Sequence, residues 1–194
     1  MLSVVNSLLL LTVTKTKESN MLSREERWFK LLDQVVAWAD ERNFKDGATL
    51  QGQQCKGEEE LGELFGHMLE SLTGIDTLEL IKDDIGDGFV VAIIQAHMSN
   101  LTPSAMFVCP KENISKFSNM EQLLIIGFTH SKIAHNICKG RFLGIALKEF
   151  ITELATLAST LGLDPVDCLE TAYMDIKDRG GEWRNGTFVK EADL

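Results

Sequence analysis

From Ser23 onward the apolar residues recur at intervals of three and four, the period of an amphipathic helix. Ser23-Arg-Glu-Glu26 reads as a capping box, followed by Trp28, Leu31, Leu32, Val35, Trp38 and Ala39 on one stripe to about Asn43. "FKDGATLQGQ" breaks the pattern and reads as a loop, with Asp46-Gly47 as turn chemistry. A second helix is predicted from about Leu50 to Leu72, stopping at Gly74, and a third from a cap at Asp76-Thr-Leu-Glu79 to about Ser99. Beyond Asp87 the third is almost wholly apolar ("FVVAIIQA"), so other helices should enclose it on most sides. "NLTPSAMFVCPKEN" reads as a linker. Ser118-x-x-Glu121 caps a fourth helix that Lys139-Gly140 ends, and a fifth runs from about Phe142 to Leu161 before Gly162. Asp164-Pro165 opens a sixth, reaching about Arg179 before Gly180-Gly181. In the tail, Asn185-Gly186 between β-favouring residues signals a small hairpin. The predicted class is an all-α bundle of about five to six helices with a short C-terminal β-hairpin.

The first residues fall outside that pattern. An apolar run from Leu8 to Val13 is too short to span a bilayer, and Lys15 and Lys17 follow it, where a secretory leader carries its basic residues in front. A second methionine, Met21, opens "MLSREERWF". Residues 1–22 are therefore read as a disordered or mis-started extension, and 23–194 as a single domain.

Composition sharpens the picture at one place. The net charge of −10 gives no basic face for a nucleic-acid backbone. Between Glu58 and Asp87 stand ten acids against one base, Lys82, so nearly all of that charge is local. Leu61, Leu64, Phe65, Leu69, Ile81 and Ile85 are interleaved with these acids at helical spacing, which suits a folded carboxylate cluster better than a solvated tail. Cys55, Cys109, Cys138 and Cys168 lie far apart, indicating neither a zinc site nor a disulfide framework and suiting reduced thiols in a cytoplasm. His130 and His135 are read as structural or surface residues.

Residues three apart on a helix share a face. Glu60 and Glu63 do so, with Glu59 four before Glu63; Asp84 and Asp87 do so on the next helix. If the two helices pack antiparallel across the turn at Gly74, the acidic pairs face each other. Two unit charges at about 4 Å repel by about 4 kcal/mol at an effective dielectric near 20, and Lys82 alone is too little to offset this. Oxygen ligands without paired His or Cys suit Mg²⁺, with Mn²⁺ as an alternative, and magnesium held this way commonly completes its shell with substrate phosphates. A carboxylate di-iron bundle would need Glu-x-x-His motifs; Glu63 and His67 are four apart. An exposed acidic face that binds nothing is the plain alternative.

"WADERNFKDGATLQGQQCKGEEELGEL", "DDIGDGFVVAIIQAH" and "LGLDPVDCLETAYMDIKDRGGEWRNGTFVKE" together resemble the MazG-like all-α nucleoside triphosphate pyrophosphohydrolases, above all the small versions carried by bacteriophages. The likeness covers about residues 30–97 and 155–190. It implies Mg-dependent hydrolysis of a (deoxy)nucleoside triphosphate to monophosphate and pyrophosphate. Metal would be bound by Glu60, Glu63, Asp84 and Asp87, with Glu59 binding metal or orienting water. Lys56, Lys177 and Arg179 become phosphate candidates by the same likeness. It also implies a homodimer or homotetramer in the cytoplasm of the host cell, with neither nucleic acid nor membrane as partner. Two departures stand out: Asp84 where the family carries Glu, and Gly57 where an apolar residue is common. A stretch at about 98–160, which small members generally lack, is read as a helical insertion that covers the site, extends the bundle or forms an interface. The rival readings are a base-specific dUTP or dCTP hydrolase of the same fold, and a non-catalytic helical binding protein.

Overall fold

A computed structural model describes residues 22–184 and 187–191. Its helices are α1 (Arg24–Glu41), α2 (Phe44–Gly47), α3 (Leu50–Leu72), α4 (Leu78–Met98), α5 (Pro103–Met106), α6 (Asn119–Cys138), α7 (Gly144–Thr160) and α8 (Pro165–Ile176). Strands β1 (Gly181–Arg184) and β2 (Thr187–Lys190) follow. The all-α class with a terminal hairpin is thus as expected, but the described residues hold eight helices where about five to six were predicted. The two extra ones, α2 and α5, are single turns inside segments read as loops, too short for a hydrophobic period to appear. The hairpin pairs Trp183 with Phe188 and Arg184 with Thr187. The predicted turn at Asn185-Gly186 lies outside the described residues, as does the expectation for residues 1–21.

Local chemistry sets the helix starts. Ser23 and Ser118 each form the full capping box with Glu26 and Glu121, and Asp164 caps α8 through the Val166 amide. The cap position falls at Thr77, one residue after the predicted Asp76. Thr77 takes that position without a side-chain cap; its hydroxyl donates to the His67 carbonyl at 2.9 Å, and Asp76 Oδ1 accepts from the Leu78 amide at 3.4 Å. The sixth long helix ends at Ile176, leaving Arg179 beyond it.

Helix α4 is the centre of the bundle. Its residues Phe89, Ala92 and Ile93 are wholly buried, and Trp28 of α1 meets Phe89 edge-on at 5.7 Å while its indole N–H donates to the Phe107 carbonyl. A Cβ at Gly86 would stand 2.2 Å from the Cys168 carbonyl oxygen, so only glycine permits α8 to lie this close to α4. Arg24 and Arg27 of α1 bridge to Asp164 and Asp167 at 2.7 Å, tying α1 to α8.

Within the insertion, α6 and α7 continue the bundle on α3 and α4. The imidazole of His130 packs where a Cβ on Gly57 would reach it at 2.8 Å, and Leu154 does the same at Gly88. Gly57 therefore has a local reason: it admits α6. His130 is buried, within hydrogen-bond distance of Gln54, while His135 is exposed beside Arg141. No helix among the described residues is long and apolar enough to cross a membrane. All four cysteines are free thiols, and burial pushes Cys168 up to about 12.

Candidate functional site

Helices α3 and α4 are antiparallel. The His67 ring meets Asp84 and the Gln95 amide donates to Gln54, so positions rise on one helix as they fall on the other. That arrangement brings the acids of α3 to those of α4. Glu60 and Asp84 are buried, Asp83 and Asp87 half-buried, and Glu59 and Glu63 exposed.

Protein cations partly offset the cluster. Lys56 Nζ lies 2.5 Å from Glu60 and 3.0 Å from Glu59, one helical turn away on the same face. His67 Nδ1 lies 2.7 Å from Asp84 Oδ2, and that bond raises the imidazole's affinity for its proton. Lys82, the one base in the acidic segment, stands 3.9 Å from Glu79. Among the described residues no three acids, histidines or cysteines converge as a ready-made metal cluster.

The offset is incomplete. Burial pushes the Asp87 carboxyl up to about 8, with the charges of Glu60 and Asp83 adding to it. Burial pushes Asp84 to about 6 against the opposing bond from His67. Asp83 is also raised, by burial and then by Asp175, and its Oδ1 is buried with no hydrogen-bond partner. These are carboxylates short of positive charge.

Glu60 and Asp87 line one cleft together with Lys56 and Arg179. Apart from Gln53 on α3, its other walls are apolar and aromatic: Trp38 and Phe44 near the end of α1, Val90, Val91 and Ile94 on α4, Ile176 on α8, and Trp183 and Phe188 from the hairpin. Chain geometry around Arg42 builds this wall. Its guanidinium covers Trp38 at 4.6 Å and donates to the Arg179 carbonyl at 2.9 Å, while its own carbonyl accepts from the Trp183 indole at 2.7 Å. The Trp38 indole donates to the Ile176 carbonyl at 2.7 Å, so the end of α1 fixes the end of α8 and with it Arg179. The Trp183 ring lies against Gly47, where a Cβ would come within 2.6 Å. Phe44 meets Trp183 edge-on at 4.8 Å.

Of the residues singled out from sequence, Glu60, Asp87, Lys56 and Arg179 share this cleft. Asp84 sits behind it, beside Glu60 in a small neighbouring cavity, and Glu63 lies at the exposed edge, its charge felt by both Asp83 and Asp84. Lys177 does not line the cleft; its ammonium stands 3.9 Å from Asp178. Trp28 is core. Missed were His67, Gln53, Trp183 and Phe188. His67 carried a signal, since it lies one turn beyond Glu63 and faces the second acidic helix. The hairpin aromatics carried a weaker one, in their opposite positions across Asn185-Gly186. No residue of α6 or α7 lines this cleft, but Phe150 and Leu154 of α7 line the small cavity beside Glu60 and Asp84.

Comparison with known proteins adds little chemistry. A protein of Haemophilus phage HP1 (strain HP1c1), described as an uncharacterized 18.2 kDa protein in the rep-hol intergenic region, is 35% identical over 72 residues. The match spans 37% of this chain and 41% of the phage protein's length. No family model matches the chain. No solved structure matches it.

Proposed function

We propose that the cleft hydrolyses (deoxy)nucleoside triphosphates to the monophosphate and pyrophosphate with Mg²⁺ as cofactor. The observation that carries this reading is the junction of two environments in one cleft. Glu60, buried against Lys56, and Asp87, a half-buried acid short of positive charge, adjoin Arg179 and an aromatic wall. A flat apolar ring and a polyanion with its cation need such neighbours.

The donor set suits magnesium. It is all oxygen, and the upward-shifted Asp84 and Asp87 carboxyls are the groups that a divalent cation would return to the charged form. When bound by Glu60, Glu63, Asp84 and Asp87, magnesium supplies neutralisation of phosphate oxygens and a more acidic water. Lys56 gives up its contact with Glu60 and, with Arg179, takes the phosphate charge, since phosphoryl transfer depends chiefly on positioning and electrostatics. Glu59 steers that lysine through the contact at 3.0 Å. His67 holds Asp84, whose side chain is one methylene shorter than glutamate, toward the cluster.

The test is pyrophosphate release from a panel of dNTPs and NTPs, with and without Mg²⁺. Magnesium-dependent release with stoichiometric monophosphate is expected. A single base dominating the panel would favour the dUTP- or dCTP-type reading, and cation binding without any release would favour the non-catalytic one.

A further inference from the structure

The cleft contains one polar side chain that the phosphate chemistry does not use. Gln53 stands in the first turn of α3, on the wall of the cleft, and is only 7% exposed. Its neighbour Gln54, equally buried, is fully engaged: it meets Glu58 at 3.1 Å, His130 at 3.1 Å and Gln95 at 3.0 Å. The Gln53 amide makes no hydrogen bond among the described residues. With no partner among those residues, the amide is free to bond a ligand in the cleft, which Trp38, Phe44, Trp183 and Val90 also line. Aromatic and apolar walls accept the faces of a flat ring and carry no information about its edge. An amide, with a donor and an acceptor side by side, reads that edge.

We infer that Gln53 selects the substrate's base, pairing with the hydrogen-bonding edge of a heteroaromatic ring held in the aromatic part of the cleft. This rests on the reading of the cleft as a nucleoside triphosphate site. A site built to hydrogen-bond its ligand discriminates far better than an apolar slot, because the wrong ligand leaves buried groups unpaired. The amide's neighbours in the cleft fix what substitutions do. Gln53→Leu keeps the volume and removes the edge partner. Gln53→Glu accepts only, which favours guanine, with its adjacent N–H donors, over thymine and uracil, whose carbonyls flank a single N–H.

Two readouts on the full chain test this. The first is kcat/KM across dATP, dGTP, dCTP, dTTP and dUTP with Mg²⁺. The second is quenching of tryptophan fluorescence by the five deoxynucleoside monophosphates without metal, reported by Trp183 and Trp38 in the cleft wall. In Gln53→Leu the preferred base should lose about tenfold or more and the ranking should flatten in both readouts. In Gln53→Glu the ranking should move toward guanine. Monophosphate rankings that are the same in wild type and both variants would overturn the inference, as would wild-type protein that no monophosphate quenches. A wild type that cuts no triphosphate yet ranks the monophosphates through Gln53 would sink the proposed reaction and leave the base reader standing.

Discussion

Asp87→Ala and Glu63→Ala should each lower pyrophosphate release by at least about a hundredfold, the scale on which loss of one positioned electrostatic partner acts at catalytic centres. The two variants probe different parts of the cluster. Asp87 is half-buried in the cleft wall, and Glu63 is exposed at the edge of the acidic face. Glu63→Ala removes no buried contact, so its loss of activity cannot be blamed on the core. Asp87→Asn, which keeps shape and removes charge, should lose activity to the same extent as Asp87→Ala. Initial rates of pyrophosphate release at saturating Mg²⁺ measure all three. Wild-type rates in both Asp87→Asn and Glu63→Ala would remove the acids from the chemistry.

The same Asp87→Asn substitution should make the metal-free protein more stable at alkaline pH. The Asp87 carboxyl is raised to about 8 and that of Asp84 to about 6, against an ordinary value of 3.8. The folded chain therefore binds protons more tightly than the unfolded chain between those values. These groups cost nothing below about pH 4, and stability is lost progressively as pH rises from there to about 8. Asparagine removes the buried charge. At pH 8.5 the unfolding temperature of Asp87→Asn should exceed that of wild type by at least about 2–4 °C, the shift that about 1 kcal/mol produces in a chain of this size. The gap should shrink as pH is lowered toward 4. Thermal unfolding followed by circular dichroism across that range decides it, and parallel curves for the two proteins would show that Asp87 is not held in a charge-averse setting. A gain in stability joined to a loss of activity is the pattern of a functional strain.

The six long helices were legible because their apolar stripes and end residues are local. Ser23, Ser118 and Asp164 bond to amides two or three residues on, and a linear reading suffices for that. The third helix begins one residue later than its sequence predicts, and the Thr77 hydroxyl there bonds to the His67 carbonyl, ten residues away, a contact that a local reading does not contain. In the candidate site, the acids were visible through their spacing on each helix. Lys56 is visible as a cation, but it stands just outside the acidic segment, and its contact with Glu60 depends on the side chain folding back along the helix face. His67 against Asp84, and Trp183 seated on Gly47, join residues brought together by tertiary packing, which spacing along the chain does not encode. Gln53 and Gln54 are adjacent and chemically identical in sequence. Only the direction each faces, one into the cleft and one toward α6, separates a candidate reader from a structural amide.

The central claim is that the carboxylates of α3 and α4 jointly take up magnesium. Isothermal calorimetry with Mg²⁺ on wild type and Asp87→Asn addresses it without reference to turnover. Saturable uptake by the wild type that is lost or strongly weakened in Asp87→Asn is the predicted result. No saturable heat with the wild type, or equal uptake by both proteins, would contradict the account.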